Sequence, residues 1–161
     1  NRRLQGGEIF TAVFAAIEHF RAYREAYGVS RSERLLQSVA RLLEEAVAVP
    51  GEGQGFLGQP AYEDFILICP PEGAAELCSG VIAGFEERKE SYYLEQHRQR
   101  GELTYYDYRG DLITSPFIYL ALGGVCNSRR FIAAYPALAE WGAQALLKAR
   151  ARGGSAFVIE E

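Results

Sequence analysis

Three short apolar runs constrain this chain more than anything else in it. They are Glu8–Ile17 (EIFTAVFAAI), Phe65–Ile68 (FILI) and Phe117–Val125 (FIYLALGGV). Each is too short for a membrane span, lacks helical spacing, and is rich in β-branched or aromatic residues, which suits strands buried in a sheet. The segments between them have a different period. Leu35, Leu36, Val39, Leu42, Leu43 and Ala46 recur at helical spacing, so Glu33–Val49 reads as an amphipathic helix that Ser30 or Ser32 can cap. Ala75, Leu77, Cys78, Val81, Ile82 and Phe85 give Glu72–Glu90 the same character.

The remaining punctuation fills in an order. Arg21–Tyr27 reads as one or two helical turns ended by Gly28, and Pro50 with the run GEGQG closes the long helix. Gly55–Cys69 reads as two strands around a turn with Gln59–Tyr62 at its tip; Phe65–Ile68 is its central buried strand, stopped by Pro70-Pro71. Leu103–Tyr108 and Leu112–Val125 flank Arg109-Gly110-Asp111 as a second hairpin. Pro136 opens a last helix through Arg152, Gly153-Gly154 ends it, and Ala156–Ile159 is a closing strand. Hairpins mixed with helices imply an α+β sheet covered by helices rather than a doubly wound parallel fold.

The 161 residues suit one domain, 1–161. A chain of this size buries roughly 70% of the surface its unfolded form exposes, so it folds without disulfides or metal. A formal charge of -4 argues against a duplex-DNA binder but permits a local anion pocket. Cys69, Cys78 and Cys126 show no CxxC spacing, which points away from zinc and disulfides and toward a reducing, cytoplasmic setting. No apolar run reaches the ~20 residues of a membrane helix. His19 and His97 are too few and too isolated for a metal cluster, and no Walker A, GxSxG or GxGxxG pattern occurs. Tyr92-Tyr93 and Tyr105-Tyr106-Asp107-Tyr108 read as half-buried packing around the second hairpin, with a contact surface as the other reading. With Asn1 first and no methionine anywhere, the chain is expected to be a piece of a longer protein.

An ordered set of residues resembles the GGDEF family. Ala16-Ile17-Glu18-His19-Phe20-Arg21, then Tyr27-Gly28, then Glu33, Leu36, Val39, Ala40 and Leu42 are similar to the opening D-x-D-x-F-K-x-x-N-D-x-x-G-H-x-x-G-D-x-x-L of those bacterial domains. Ala61-Tyr62-Glu63-Asp64-Phe65 stands where the GG[DE]EF turn should be, followed by the required apolar strand. Ala145–Gly153 looks like the family's A-L-Y-x-A-K-x-x-G terminus, and Asn1-Arg2-Arg3-Leu4 like its L-P-N-R opening, although only Gln5-Gly6-Gly7 stands where a helix usually intervenes. The resemblance implies a nucleotidyl-cyclase-like, ferredoxin-like palm: a mixed, mostly antiparallel sheet flanked by helices, here with an extra β-hairpin.

The same resemblance implies where the chemistry should sit. Active members are diguanylate cyclases that join two GTP into cyclic di-GMP using Mg²⁺ held by a first-strand Asp and the first acidic residue of the turn. The first position is Ala16, whose methyl cannot ligate a hard cation. Glu18 and Glu63 are the weak candidates for a rebuilt metal site. Ala61 and Tyr62 replace the two glycines whose bare backbone lies beside the triphosphate. Arg24 replaces the guanine-binding Asn, Glu33 the guanine-binding Asp, and Arg150 the phosphate-binding Lys, while Arg21 stands at the F-K lysine and Gly154 replaces an Arg. Arg21, Arg24, Glu33 and Arg150 are therefore the candidate nucleotide-binding residues. The feedback motif R-x-x-D falls on Glu52 and Gly55, so product binding in that mode is not expected. The expectation is a catalytically inactive signalling domain without cofactor, acting by partner binding, dimerisation or sensing of GTP or cyclic di-GMP, alone or with other domains of its chain. No nucleic acid and no membrane insertion are expected. The alternative is a residual diguanylate cyclase using Mg²⁺.

Overall fold

The run at 8–17 has no polar alternation, and the fold gives it the strand position with neighbours at both edges and cover on both faces. The computed structural model describes residues 8–48, 55–129, 132 and 134–161. In chain order its elements are β1 (Thr11–Glu18), α1 (Phe20–Tyr27), α2 (Val29–Val47), β2 (Phe56–Gly58), β3 (Asp64–Cys69), α3 (Ala74–Lys89), α4 (Glu95–Arg100), β4 (Leu103–Tyr106), β5 (Leu112–Ser115), β6 (Tyr119–Cys126), α5 (Tyr135–Arg150) and β7 (Ala156–Glu160). The main sheet has five strands in the order β2-β3-β1-β6-β7, and β4-β5 form a separate two-stranded sheet. Only β6 and β7 pair in parallel; the other pairs are antiparallel. The α+β reading with a mixed, mostly antiparallel sheet and an extra hairpin therefore holds.

Strand alternation divides the core into two layers. Val13, Ala15 and Ile17 of β1 join Phe65 and Leu67 of β3 beneath Leu35, Leu43 and Phe85 from the α2 and α3 side. Ala12 and Phe14 face the other way, toward Leu138 and Ala145 of α5. That helix sits very close to the sheet. A Cβ at Gly142 would lie 2.1 Å from the Phe14 ring, and one at Gly123 would lie 2.3 Å from the Leu146 backbone nitrogen.

Local chemistry moves several expected boundaries. Gly28 has a φ of +79°, so the chain breaks there and restarts at once, and α2 begins at Val29 rather than Glu33. No side chain caps α2; Ser32 Oγ donates instead to the Gly28 carbonyl at 2.8 Å. The central strand is β1, with Phe65–Ile68 next to it. Leu112–Val125 is two strands, interrupted at 116–118, where Pro116 has no backbone N–H for a ladder. The crossover is pinned by Tyr93, whose ring stacks on Phe117 at 4.0 Å and whose hydroxyl accepts the Ile118 N–H at 2.7 Å. Helix α4 was not expected, because its sequence EQHRQR buries His97 alone and carries no apolar period. The segment Asn1–Gly7, Pro50 with most of the GEGQG run, and Glu52 lie outside the described residues. No helix among the described residues is long and apolar enough to cross a membrane.

Candidate functional site

The end of β1 and the turn entering β3 come together because their register brings Ala16 opposite Asp64. On the other edge Ala16 pairs with Ala121 and Glu18 with Tyr119. Residues directly paired share a face, and successive residues alternate. Ala16, Glu18 and Asp64 therefore lie on the α5 face, while Phe65 lies under α1 and α2. Glu63 goes to that second side. It lines an open cleft of about 480 Å³ together with Phe20, Arg21, Arg24, Glu25, Gly28 and Val29. The two acidic residues of the turn thus diverge across the sheet.

Each candidate side chain has a specific neighbour. Ala16 is only 3% exposed. Glu18 Oε1 accepts from Arg150 Nε at 2.5 Å, tying the end of β1 to the end of α5. Burial pushes the nearby Tyr119 hydroxyl up, Glu18 adds to that, and Arg150 opposes it. The Tyr62 ring lies 6.0 Å from the Phe20 ring, and the Arg24 guanidinium sits 5.2 Å from the centre of the Tyr62 ring. Gln59 Nε2 donates to the Tyr62 carbonyl at 2.7 Å, bracing the turn. Arg21 Nε donates to Glu25 Oε1 at 2.9 Å, and the Tyr105 hydroxyl donates to the second oxygen at 2.8 Å. Those two bonds, the one from Arg21 first, hold the Glu25 carboxyl below the usual carboxylate range.

The six residues assigned to nucleotide or metal thus fall in three places rather than one. Arg21, Arg24 and Glu63 share the cleft against α1. Glu18 and Arg150 form their own pair on the opposite face. Glu33 lines a smaller cleft of about 170 Å³ with Leu36, Gln37, Ala40, Gln59 and Phe65. It follows Val29 by one helical turn, so the two clefts run along one stripe of α2 on either side of the turn carrying Tyr62. Among the described residues, no three His, Cys, Asp or Glu side chains are grouped so as to hold a metal ion. Sequence reasoning missed Glu25, Tyr105 and Tyr119 as neighbours of these groups. Glu25 has a local signal, four residues after Arg21 on a helix; the other two are brought in only by the tertiary fold.

Solved structures with this architecture include GGDEF domains and diguanylate cyclases. The active GGEEF domain of a diguanylate cyclase from Vibrio cholerae superposes with a TM-score of 0.69 at 18% identity, over 99% of this chain and 88% of that one. The chain has the fold of a GGDEF domain. The GGDEF domain of YfiN (TpbB) from Pseudomonas aeruginosa gives a TM-score of 0.69 at 12% identity, over 99% and 89%. The diguanylate cyclase SiaD of the same organism, in complex with its activator SiaC, gives 0.67 at 16% identity, over 99% of this chain and 53% of that one. No family model matches the sequence, and no curated protein matches it. Ala61–Glu63 lead into β3, whose first residues are Asp64 and Phe65; Ala16 lies two residues before the end of β1, opposite Asp64, and Gly55 precedes β2.

Proposed function

We propose that this chain is a degenerate GGDEF-type signalling domain of the cytoplasm that does not make cyclic di-GMP, and that it acts by binding a guanine nucleotide without turnover, by dimerising or by binding a protein partner. One observation carries the reading: Ala16, with its methyl group, stands opposite Asp64, and the nearest acidic residue on that strand, Glu18, is bound to Arg150. The donor set does not fit the magnesium pair that the resemblance implies. Glu63 and Asp64 lie on opposite faces, and Glu18 shares a face with Asp64 but already neutralises a guanidinium. Loss of one metal ligand costs on the order of a thousandfold or more in phosphoryl-transfer rate.

The cleft beside α1 supports retained binding. Arg24 and Glu63 offer a cation and a carboxylate in a space of about 480 Å³, within the range of small-ligand sites. Tyr62 packs against Phe20 and Arg24, two residues of its lining. The SiaD structure, holding its activator SiaC, supports a protein partner as a use of this fold. The test is purified protein with GTP and Mg²⁺ or Mn²⁺, and calorimetry with GTP, GDP and cyclic di-GMP. No cyclic product is expected. Binding weakened by Arg24→Ala supports nucleotide sensing; no heat with any nucleotide assigns the domain to partner binding or dimerisation. Turnover to cyclic di-GMP overturns the proposal in favour of a residual cyclase.

A further inference from the structure

Two guanidinium groups on α2 share a second cleft without an acidic partner. Arg31 and Arg34 are three residues apart, which puts them side by side on the helix, where like charges are unfavourable. They line a cleft of about 360 Å³ with Tyr23, Leu35, Ser91 and Tyr92. No carboxylate among the described residues forms an ion pair with either. Arg21 and Arg150, by contrast, each have a glutamate within 3 Å.

Arg31 is held in place before any ligand arrives. Its Nη2 donates to the Tyr92 carbonyl at 3.1 Å, and its guanidinium lies 4.4 Å from the centre of the Tyr27 ring. The same carbonyl accepts the Tyr23 hydroxyl at 2.9 Å, which fixes the acceptor as well. A guanidinium has five N–H donors, so one such bond leaves most of them for a ligand. Arg34 is the exposed, adjustable member of the pair. Ser91 gives its hydroxyl proton to the Arg88 carbonyl at 2.6 Å and shapes only the rim.

We propose that this cleft binds a phosphate group, carried by a nucleotide or by a small phosphorylated molecule. A phosphate between the two arginines removes their mutual repulsion and takes charge-assisted, fork-shaped hydrogen bonds from them, the interaction for which arginine is best suited. A cleft near the small end of ligand-site volumes suits a phosphate with a small substituent. The site shares no lining residue with the Glu63 cleft, so it stands or falls separately from nucleotide sensing there.

The test is calorimetric titration of the 161-residue chain at low ionic strength with inorganic phosphate and, separately, with guanosine monophosphate. Saturable phosphate binding is expected, weakened about tenfold or more by Arg34→Gln with an unchanged melting temperature. Arg41→Gln, which removes a cation from the same helix outside the cleft, is expected to leave affinity within about twofold. The monophosphate binding no tighter than phosphate, with the same dependence on Arg34, assigns a small phosphorylated ligand. Tighter binding with that dependence assigns a nucleotide. No saturable phosphate binding, or equal weakening by both variants, overturns the proposal.

Discussion

Ala16→Asp places a carboxylate at the position that the resemblance assigns to a metal ligand, and the structure gives the cost. Residue 16 is 3% exposed, lies on the α5 face, and is flanked in register by Asp64 and Ala121. Arg150, which reaches the end of the same strand, is already engaged by Glu18. A carboxyl in such a place folds in its protonated form more cheaply than as a buried charge. Keeping a group of ordinary pKa near 3.9 protonated costs about 1.4 kcal/mol per pH unit, hence at most about 4 kcal/mol at about pH 7 and about 1.5 kcal/mol at about pH 5. The sign follows from the raised pKa of the folded state: the penalty grows as pH rises above the unfolded value and fades as pH falls toward it. At roughly 2–4 °C per kcal/mol for a domain of this size, melting should drop by about 10 °C at about pH 7 and by less than half of that at about pH 5. Ala16→Asn has a similar volume and no charge, so its penalty should not depend on pH. Thermal melts of the three proteins in metal-free buffer read both effects. The same variant given GTP and Mg²⁺ should still form no cyclic product, since Glu18 remains with Arg150 and Tyr62 remains in the turn. A variant as stable as the parent at both pH values, or one that synthesises cyclic di-GMP, refutes the reasoning.

Other consequences can be checked with similar material. Gly142→Ala should cost about 1–3 kcal/mol, because its methyl would lie 2.1 Å from the Phe14 ring, and Phe14→Leu in the same chain should recover much of that loss in a thermal melt. Glu18→Gln and Arg150→Gln should couple by about 0.5–1 kcal/mol at low salt and less at high salt, since both side chains are partly exposed; zero coupling in the double-mutant cycle would mean that the carboxylate is not held. Burial pushes the Cys78 thiol from 9.0 up to about 12. Between those values the unfolded chain loses a proton that the folded chain keeps, so stability should fall by up to about 1.4 kcal/mol per pH unit as pH rises, and Cys78→Ala should flatten that limb of the stability–pH curve.

The elements with strong local signals were legible. The largely apolar run at 8–17 supplied a buried strand, the helical spacing of Leu35 to Ala46 supplied α2, and Pro136 with Gly153 bounded the last helix to within a few residues, whereas the central place read for Phe65–Ile68 belongs to β1. Helix α4 was not legible, since a polar hexapeptide that buries only His97 looks like a loop. The break at 116–118 was not read either, although Pro116 marks it, because the apolar run that starts at Phe117 looks like a continuation of the same strand. At the site, the resemblance implied the replacements one by one: Ala16 for a carboxylate, Ala61 and Tyr62 for glycines, Arg24 for an amide. Their grouping was not legible, because hydrogen-bond partners 132 residues apart, such as Glu18 and Arg150, leave no mark in local spacing.

What the order of residues determined by itself was which segments become strands and helices and which side chains are available at each position, because burial pattern and backbone preference act over a few neighbours. Tertiary structure alone decided that Glu63 and Asp64 part to opposite faces, that Glu18 meets Arg150, and that no described carboxylate forms an ion pair with Arg31 or Arg34. Those outcomes depend on register and on how closely helices approach the sheet, and a shift of one residue in a strand would reverse every face.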